Sequence, residues 1–456
     1  MAGNPVNVVS VSEHRGGEFD KSGALEGDGR GGTSVCVTEG VDTVVQSLAA
    51  ADLGESPGDA SPEEGGRANA NADRHEVTSG REAAANESSA LIKASQNLPG
   101  YCTSEKMTPD DFEILAVVGQ GAFGKVFQVR KKDSGEIFAM KVMRKEKILS
   151  KNQSEYCRQE RDILTCISHP FIVKLHYSFQ TGAKLYIILD FINGGHLFFQ
   201  LYRQGFFSES LAKVYCAEIV LAVAHLHSFG IAHRDLKPEN VLLDHTGHLV
   251  LTDFGLAKIV NGDANTNSMV GTMEYMAPEI ILGKGHGMAA DWWSVGVLVY
   301  EMLTGKHPFS SRNRQTLQKK ILNEKLKFPT YLTSEAIQLI KGLLNRDYKC
   351  RLGYGEGGAE KVKKLAFFKT INWKRLEAKI IPPPFLPDVA SEECVANFDE
   401  EFTKLPPEDI SPCTTPREGE GGASVKALGR FNGFTFIAPR MEERMLGEQS
   451  AATAST

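Results

Sequence analysis

His233-Arg234-Asp235-Leu236-Lys237-Pro238-Glu239-Asn240, followed by Asp253-Phe254-Gly255, decides the reading of this 456-residue chain. A carboxylate at Asp235 can orient a hydroxyl and accept its proton. Lys237 can neutralise charge on a phosphoryl group moving toward that hydroxyl. Asn240 offers an amide oxygen and Asp253 an anionic one, and hard oxygen donors of this kind suit Mg²⁺. Each short string alone is weak. Their order and spacing together point to magnesium-assisted phosphoryl transfer from ATP.

Upstream, Val118-Gly119-Gln120-Gly121-Ala122-Phe123-Gly124-Lys125-Val126 is a glycine-rich turn between two apolar stretches. Glycines let the backbone close over phosphates, whose oxygens the amides can reach. A dinucleotide-binding fold needs a helix directly after such glycines. Here residues 125–129 continue as a strand, the partner of residues 112–118, and residues 137–143 read as a third. Lys141 sits inside that third strand, placed to pair with the α- and β-phosphates. Glu160, on a helix predicted over residues 155–167, stands at the right separation to hold it. That helix ends before His169-Pro170, which a helix does not continue through. Residues 185–191 read as another strand. After Asn193-Gly194-Gly195 the pattern turns mostly helical, with apolar positions recurring three and four apart through residues 211–227. The expected fold class is therefore α+β, a small β-rich half before a larger α-rich half, with a nucleotide cleft between them.

Residues 112–368 resemble a eukaryotic protein kinase domain throughout. The match continues through Ala277-Pro278-Glu279, Asp291-Trp292-Trp293 and Arg351. The resemblance implies a two-lobed fold using ATP and Mg²⁺. It makes Asp235 and Lys237 catalytic, with Lys141 held by Glu160, and Asn240 and Asp253 the metal ligands. It also implies a pairing of Glu279 with Arg351, a brace on the catalytic loop from Asp291, a gatekeeper at Leu189 and an adenine-binding hinge at residues 190–192, including Asp190 and Ile192.

Within the activation segment, Ser268 stands three residues before Gly271, where AGC-group kinases carry a phosphosite. A phosphate there would face Arg234 and Lys258. Asn397-Phe398-Asp399 looks like the AGC tail segment that returns to the adenine pocket, with Phe398 at its centre. Phe431-Asn432-Gly433-Phe434-Thr435-Phe436 resembles the hydrophobic motif of ribosomal protein S6 kinases, whose aromatics should fill a small-lobe groove beside the helix of Glu160. Thr435 is its phosphosite. Ser411 before Pro412 is placed like the turn-motif site, with Thr415 competing. Ser268-Met269 and the stretch 281–286 lean toward the plant-like branch. Protein substrates with basic Ser/Thr sites, resembling ribosomal protein S6, follow by implication. So do an upstream phosphoinositide-dependent kinase and the target-of-rapamycin complex. Glu239 and Glu301 would receive basic residues preceding the target.

Two departures stand out. His196 occupies the place of a glutamate that contacts the ribose and a substrate arginine, so the arginine three residues before the target should be read less strictly. Phe19-Asp20-Lys21-Ser22-Gly23 is a poor match to the segment that recruits the target-of-rapamycin complex. Two alternatives stay open: another AGC kinase, protein kinase B-like or serum-kinase-like, and a pseudokinase scaffold. The pseudokinase reading is opposed by the presence of Lys141, Asp235 and Asp253.

The composition, 41% hydrophobic and 24% charged with a formal charge of -6, is that of an ordinary globular enzyme and argues against a nucleic-acid partner. Eight cysteines without metal-ligand spacing read as reduced thiols, so a cytoplasmic location is expected, with nuclear access left open. No secretory leader is evident, and no membrane span is expected. Residues 1–108, rich in Gly, Ala, Ser, Asp and Glu, read as a disordered tail. The kinase domain covers 112–368, an AGC-type regulatory tail 369–440, and a disordered end 441–456. Pro382-Pro383-Pro384 is expected to be an extended tether and residues 406–422 a loop.

Overall fold

Alternation of apolar and polar residues sets the first hairpin, β1 (Phe112–Gln120) against β2 (Gly124–Lys131). The strands pair antiparallel, Gly119 opposite Val126 and Gln120 opposite Lys125, with Val118 bulged out where the hairpin arches. β3 (Ile137–Arg144) pairs with β2 and carries Lys141 opposite Val126. A Cβ on Gly124 would fall 1.8 Å from the Val142 carbonyl oxygen of β3, so the strands can close here only around glycine. Everything stated here about the fold concerns residues 107–260, 270–285, 287–383, 385–407 and 429–438 of the computed structural model. The expected tails at 1–106 and 439–456, the Phe19 segment, Ser268, Ser411, Thr415, most of the 406–422 loop and Pro384 of the tether lie outside these residues.

After β3 come α1 (Lys145–Ser150) and α2 (Ser154–Cys166), which bears Glu160. Two further strands, β4 (Leu175–Gln180) and β5 (Lys184–Asp190), complete the small-lobe sheet. The sequence reading anticipated neither α1 nor β4. α1 is a single short helix of six residues. In β4 the alternation is broken by a bulge at His176, so the period of two is lost where it would be diagnostic.

The large lobe starts with α3 (Leu197–Gln204) and α4 (Glu209–Ser228). Ser208 caps α4 by accepting the Leu211 N–H. By length and apolar content alone α4 could cross a membrane, although no membrane span is expected from the sequence. Its apolar residues are nonetheless packed inside the lobe, together with a buried Glu218 paired to His248, as in the core helix of a globular enzyme. The short pairs β6 (Ile231–Ala232) with β9 (Lys258–Ile259), and β7 (Val241–Leu243) with β8 (Leu249–Leu251), frame the catalytic loop. α5 (Ala289–Thr304) is buried along nearly its whole length, and a helix apolar on every side belongs in a core. Arg351 reaches Glu279 through both guanidinium nitrogens, at 2.7 and 2.8 Å. The same guanidinium donates to the Ala289 carbonyl and stacks on Trp293.

The tail then returns to the small lobe. Phe402 and Leu405 pack against the cluster around Phe112 and Phe179. β10 (Phe436–Ile437) adds to the open edge of β4, giving the order β1-β2-β3-β5-β4-β10.

Candidate active site

The catalytic loop between β6 and β7 holds its shape through Asp291 at the start of α5. One carboxylate oxygen accepts the His233 N–H and the other the Arg234 N–H, both at 2.9 Å, while His227 Nε2 lies 2.8 Å away. Burial would raise the Asp291 carboxyl, but His227 and these donors outweigh it and hold it below the ordinary range. Arg234 adopts φ 68° and Asp253 φ 56°, left-handed conformations uncommon for residues with side chains. Strain of this kind persists where surrounding contacts over-determine it.

Asp235 is surrounded by donors. Its Oδ2 accepts from Lys237 Nζ at 2.9 Å and from Asn240 Nδ2 at 3.1 Å. Its Oδ1 accepts from both the N–H and the hydroxyl of Thr272 at 3.3 Å. Lys237 Nζ also reaches the Thr272 hydroxyl, at 3.3 Å. Thr272 received no role from the sequence, although it follows Gly271 in the activation segment. A Cβ on Gly271, at φ 105°, would come within 2.8 Å of the Arg234 carbonyl oxygen, so glycine lets the segment press onto the catalytic loop. The signal was there, in a Gly-Thr pair ahead of Ala277-Pro278-Glu279.

Across the cleft, Lys141 Nζ lies 2.6 Å from Glu160 Oε1 and 3.6 Å from Asp253 Oδ1. Burial alone would lower the Lys141 ammonium, but the two carboxylates outweigh it and hold it above the ordinary lysine value. Burial likewise opposes the charge on Asp253, yet Lys141 keeps this carboxyl below its usual range. Lys141, Glu160 and Asp253 therefore form one ion cluster at the seam of the two lobes. Phe254 is buried with its ring edge-on to His233 at 5.0 Å, which seats the Asp253 turn.

The glycine-rich turn lies at the tip of the β1–β2 hairpin, where the Gly121 N–H donates to the Gly124 carbonyl at 2.9 Å. On the opposite wall, Asp190 ends β5. Its carboxylate accepts the Lys174 N–H at 2.9 Å and lies 2.6 Å from His176 Nε2, so side chain and N–H are committed to the sheet. Ile192 is half-buried against the large-lobe core. Phe398 of the tail stacks on Phe191 at 5.4 Å, bringing the tail to the lobe crossing.

The two acidic residues expected to receive basic substrate side chains differ. Glu239 is exposed beside the catalytic loop. Glu301 is 4% exposed and takes a hydrogen bond from the Tyr275 hydroxyl, with His307 at 3.7 Å. His196 caps α3, its Nδ1 accepting the Phe199 N–H at 3.2 Å. Burial lowers its pKa against the pull of Glu239 and Asp399, so it is neutral at neutral pH.

Residues 112–368 match the protein kinase domain family, and residues 389–436 match the protein kinase C terminal domain. The chain belongs to the protein kinase family. Among its curated relatives, serine/threonine-protein kinase AtPK2/AtPK19 of Arabidopsis thaliana is 59% identical over 330 residues, 72% of this chain and 68% of that protein. Protein kinase 2 of Dictyostelium discoideum is 50% identical over 337 residues, 73% of this chain and 68% of the other. Ribosomal protein S6 kinase beta of Caenorhabditis elegans is 48% identical over 346 residues, 75% and 62% respectively. The kinase is an ATP-dependent serine/threonine enzyme of the AGC group, similar to the S6 kinases.

The tail of the kinase docks where the small lobe is open. Phe431 and Phe434 are both 0% exposed. Lys145 stands over the first ring at 5.5 Å and Arg161 of α2 over the second at 5.6 Å. Arg161 also donates to the Gly433 carbonyl at 2.8 Å, Gln180 to that of Phe431 at 2.8 Å, and Ser178 to that of Phe434 at 2.6 Å. Thr435, directly after Phe434, is exposed.

Proposed function

We propose that the kinase transfers the γ-phosphate of ATP to Ser or Thr in basic contexts, on proteins resembling ribosomal protein S6, and that charge at Ser268 and Thr435 switches it on. The observation that carries the reading is the Asp235 carboxylate, held by Lys237, Asn240 and Thr272 opposite the Lys141–Glu160–Asp253 cluster. Asp235 would orient the acceptor hydroxyl and take its proton, while Lys237 stabilises charge on the transferring group. Lys141, fixed by Glu160, would hold the α- and β-phosphates under the glycine-rich hairpin, and the hinge with Phe398 would seat the adenine. The donor set fits Mg²⁺. Asn240 turns its Nδ2 to Asp235, which leaves the amide oxygen as a donor, and Asp253 adds an anionic oxygen. Two protein oxygens completed by nucleotide phosphates are usual for this ion, which would neutralise phosphate charge.

Upstream input at Ser268 from a phosphoinositide-dependent kinase, and at Thr435 from the target-of-rapamycin complex, extends this reading, with Ser411 a third site. Cys157, Cys166, Cys216, Cys350 and Cys394 are free thiols, as the reducing cytoplasm would keep them. Transfer of radiolabelled γ-phosphate to basic Ser/Thr peptides tests the core of the proposal. Incorporation by protein phosphorylated at Ser268 and Thr435 that fails to exceed that of a heat-killed control would end it.

Substrate choice gives a sharper test. A neutral His196 offers no charge to an arginine three residues before the target. Peptides with that arginine should therefore be preferred only weakly, by a few-fold in kcat/KM over peptides without it. His196→Glu should raise the preference for arginine roughly ten- to a hundredfold, the scale of one charge-assisted hydrogen bond of about 1.5–3 kcal/mol. The ratio between two peptides is insensitive to any loss of stability from the altered helix cap. A wild-type enzyme already strict for that arginine would contradict the reading.

A further inference from the structure

Strand β4 carries one residue too many. Leu175 faces Leu189 and Tyr177 faces Ile188, which leaves His176 as a bulge against β5. A bulge re-aims a side chain out of the normal alternation and often does so beside an active site. Here it brings His176 Nε2 to 2.6 Å from Asp190 Oδ1. The imidazole packs 4.8 Å from the ring of Phe138, the β3 residue paired with Asp190. Asp190 is the last residue of β5, from which the chain crosses into the large lobe. On its other edge the His176 carbonyl accepts the Ala438 N–H at 2.8 Å, extending the pairing of Phe436 with Ser178 and Ile437 with Tyr177. One residue thus holds the docked tail through its backbone and the lobe crossing through its side chain.

We propose that His176 is a positioning residue through which the docked tail strand fixes the lobe crossing at Asp190 and tightens the grip on ATP. The inference rests on the cleft being the ATP site, as argued above. Its physical basis is that a bulge leaves one residue outside the ladder, at the weakest point of an edge strand. Pairing β10 along that edge fixes the His176 carbonyl, and with it the Cα from which the imidazole reaches Asp190. Hydrogen bonds weaken steeply with misalignment, so a small drift of β4 is felt at Asp190. This path is separate from the contact of Arg161 with Gly433, which bears on α2 and Glu160. The tail therefore acts twice: on turnover through α2, and on nucleotide affinity through His176.

The test uses the full-length kinase, with KM for ATP measured at saturating peptide and Kd for magnesium-ADP measured directly. Ala438→Pro removes the N–H donor and leaves Phe431 and Phe434 in place, while Ala438→Gly keeps the donor. His176→Leu removes the side-chain bond, and His176→Gln retains a donor of similar reach. Ala438→Pro and His176→Leu should each raise both constants roughly three- to tenfold, as the loss of one hydrogen bond implies, with kcat changed by less than about twofold. The double variant should match His176→Leu alone, and Ala438→Gly and His176→Gln should stay near wild type. Additive effects, a His176→Gln as impaired as His176→Leu, or an unchanged ATP constant in Ala438→Pro would each overturn the proposal. The proline and glycine arms decide it even if His176→Leu does not fold. A wild-type chain that is phosphorylated at Ser268 and Thr435 and still transfers no phosphate from ATP would instead refute the reading of the cleft.

Discussion

Asp235→Asn should lower kcat by roughly 10²–10⁴-fold, the range expected when a general base is lost, in a protein that still folds. Asparagine matches the size of aspartate but presents one oxygen and one NH₂ group. Both faces of Asp235 meet donors: Lys237 and Asn240 on one side, the amide and hydroxyl of Thr272 on the other. Whichever way the amide turns, donor faces donor, at a cost of about 1–3 kcal/mol. A domain with a total stability of about 5–15 kcal/mol survives that loss. The chemistry does not, because the new side chain cannot accept the proton of the attacking hydroxyl. Transfer of radiolabelled phosphate and a thermal melt, taken on the same preparation, separate the two effects. Activity within a few-fold of wild type would remove Asp235 from the role of base. Asp253→Ala is the companion test, and label incorporation indistinguishable from wild type would argue for a scaffold instead of an enzyme.

How much of this was legible beforehand depends on how local each signal is. Asp235, Lys237, Asn240 and Asp253 lie within one stretch of chain, and their chemistry can be read from spacing alone. The Lys141–Glu160 pair is also readable, because a strand and the helix after it constrain where two side chains can meet. Other features needed the fold. The brace from Asp291 was expected by resemblance, but nothing in the sequence around His227 shows that its side chain meets Asp291, since that partnership is made by packing of α4 against α5. Thr272 was visible as a residue but not as a partner of Asp235, which depends on the turn at Gly271. β4 was missed because its bulge at His176 destroys the alternation that identifies strands, and that same bulge turns the imidazole toward Asp190. The acidic pair shows the opposite failure. Glu239 and Glu301 look equivalent in the sequence, but Glu301 is buried against Tyr275 while Glu239 is exposed. Local pattern cannot report which of two carboxylates the core has claimed.

The tail makes the second large prediction. Phe434→Ala should release the docked segment and lower kcat on the order of 10–100-fold. The Phe434 ring is 0% exposed, and truncating a phenylalanine in such a setting costs about 3–5 kcal/mol. What remains to hold the segment is Phe431 and a few hydrogen bonds, each worth about 1 kcal/mol net. A strand as short as β10 cannot stay paired on that basis alone. Release withdraws both the Phe434 ring and the Gly433 carbonyl from Arg161, a cation only 2% exposed and adjacent to Glu160 in α2. Arg161 keeps Asp162 at 3.0 Å but loses the cover of the tail, and a shift of α2 that hydrates the uncovered guanidinium draws Glu160 away from Lys141. Hydrogen exchange should rise in β4 and α2 together while the large-lobe helices α4 and α5 keep their protection. Phe434→Leu, which retains most of the apolar volume, should recover much of the activity. If exchange rises in β4 but kcat holds, the tail is docked without being coupled to the Lys141–Glu160 pair. Turnover would then be governed within the cleft alone.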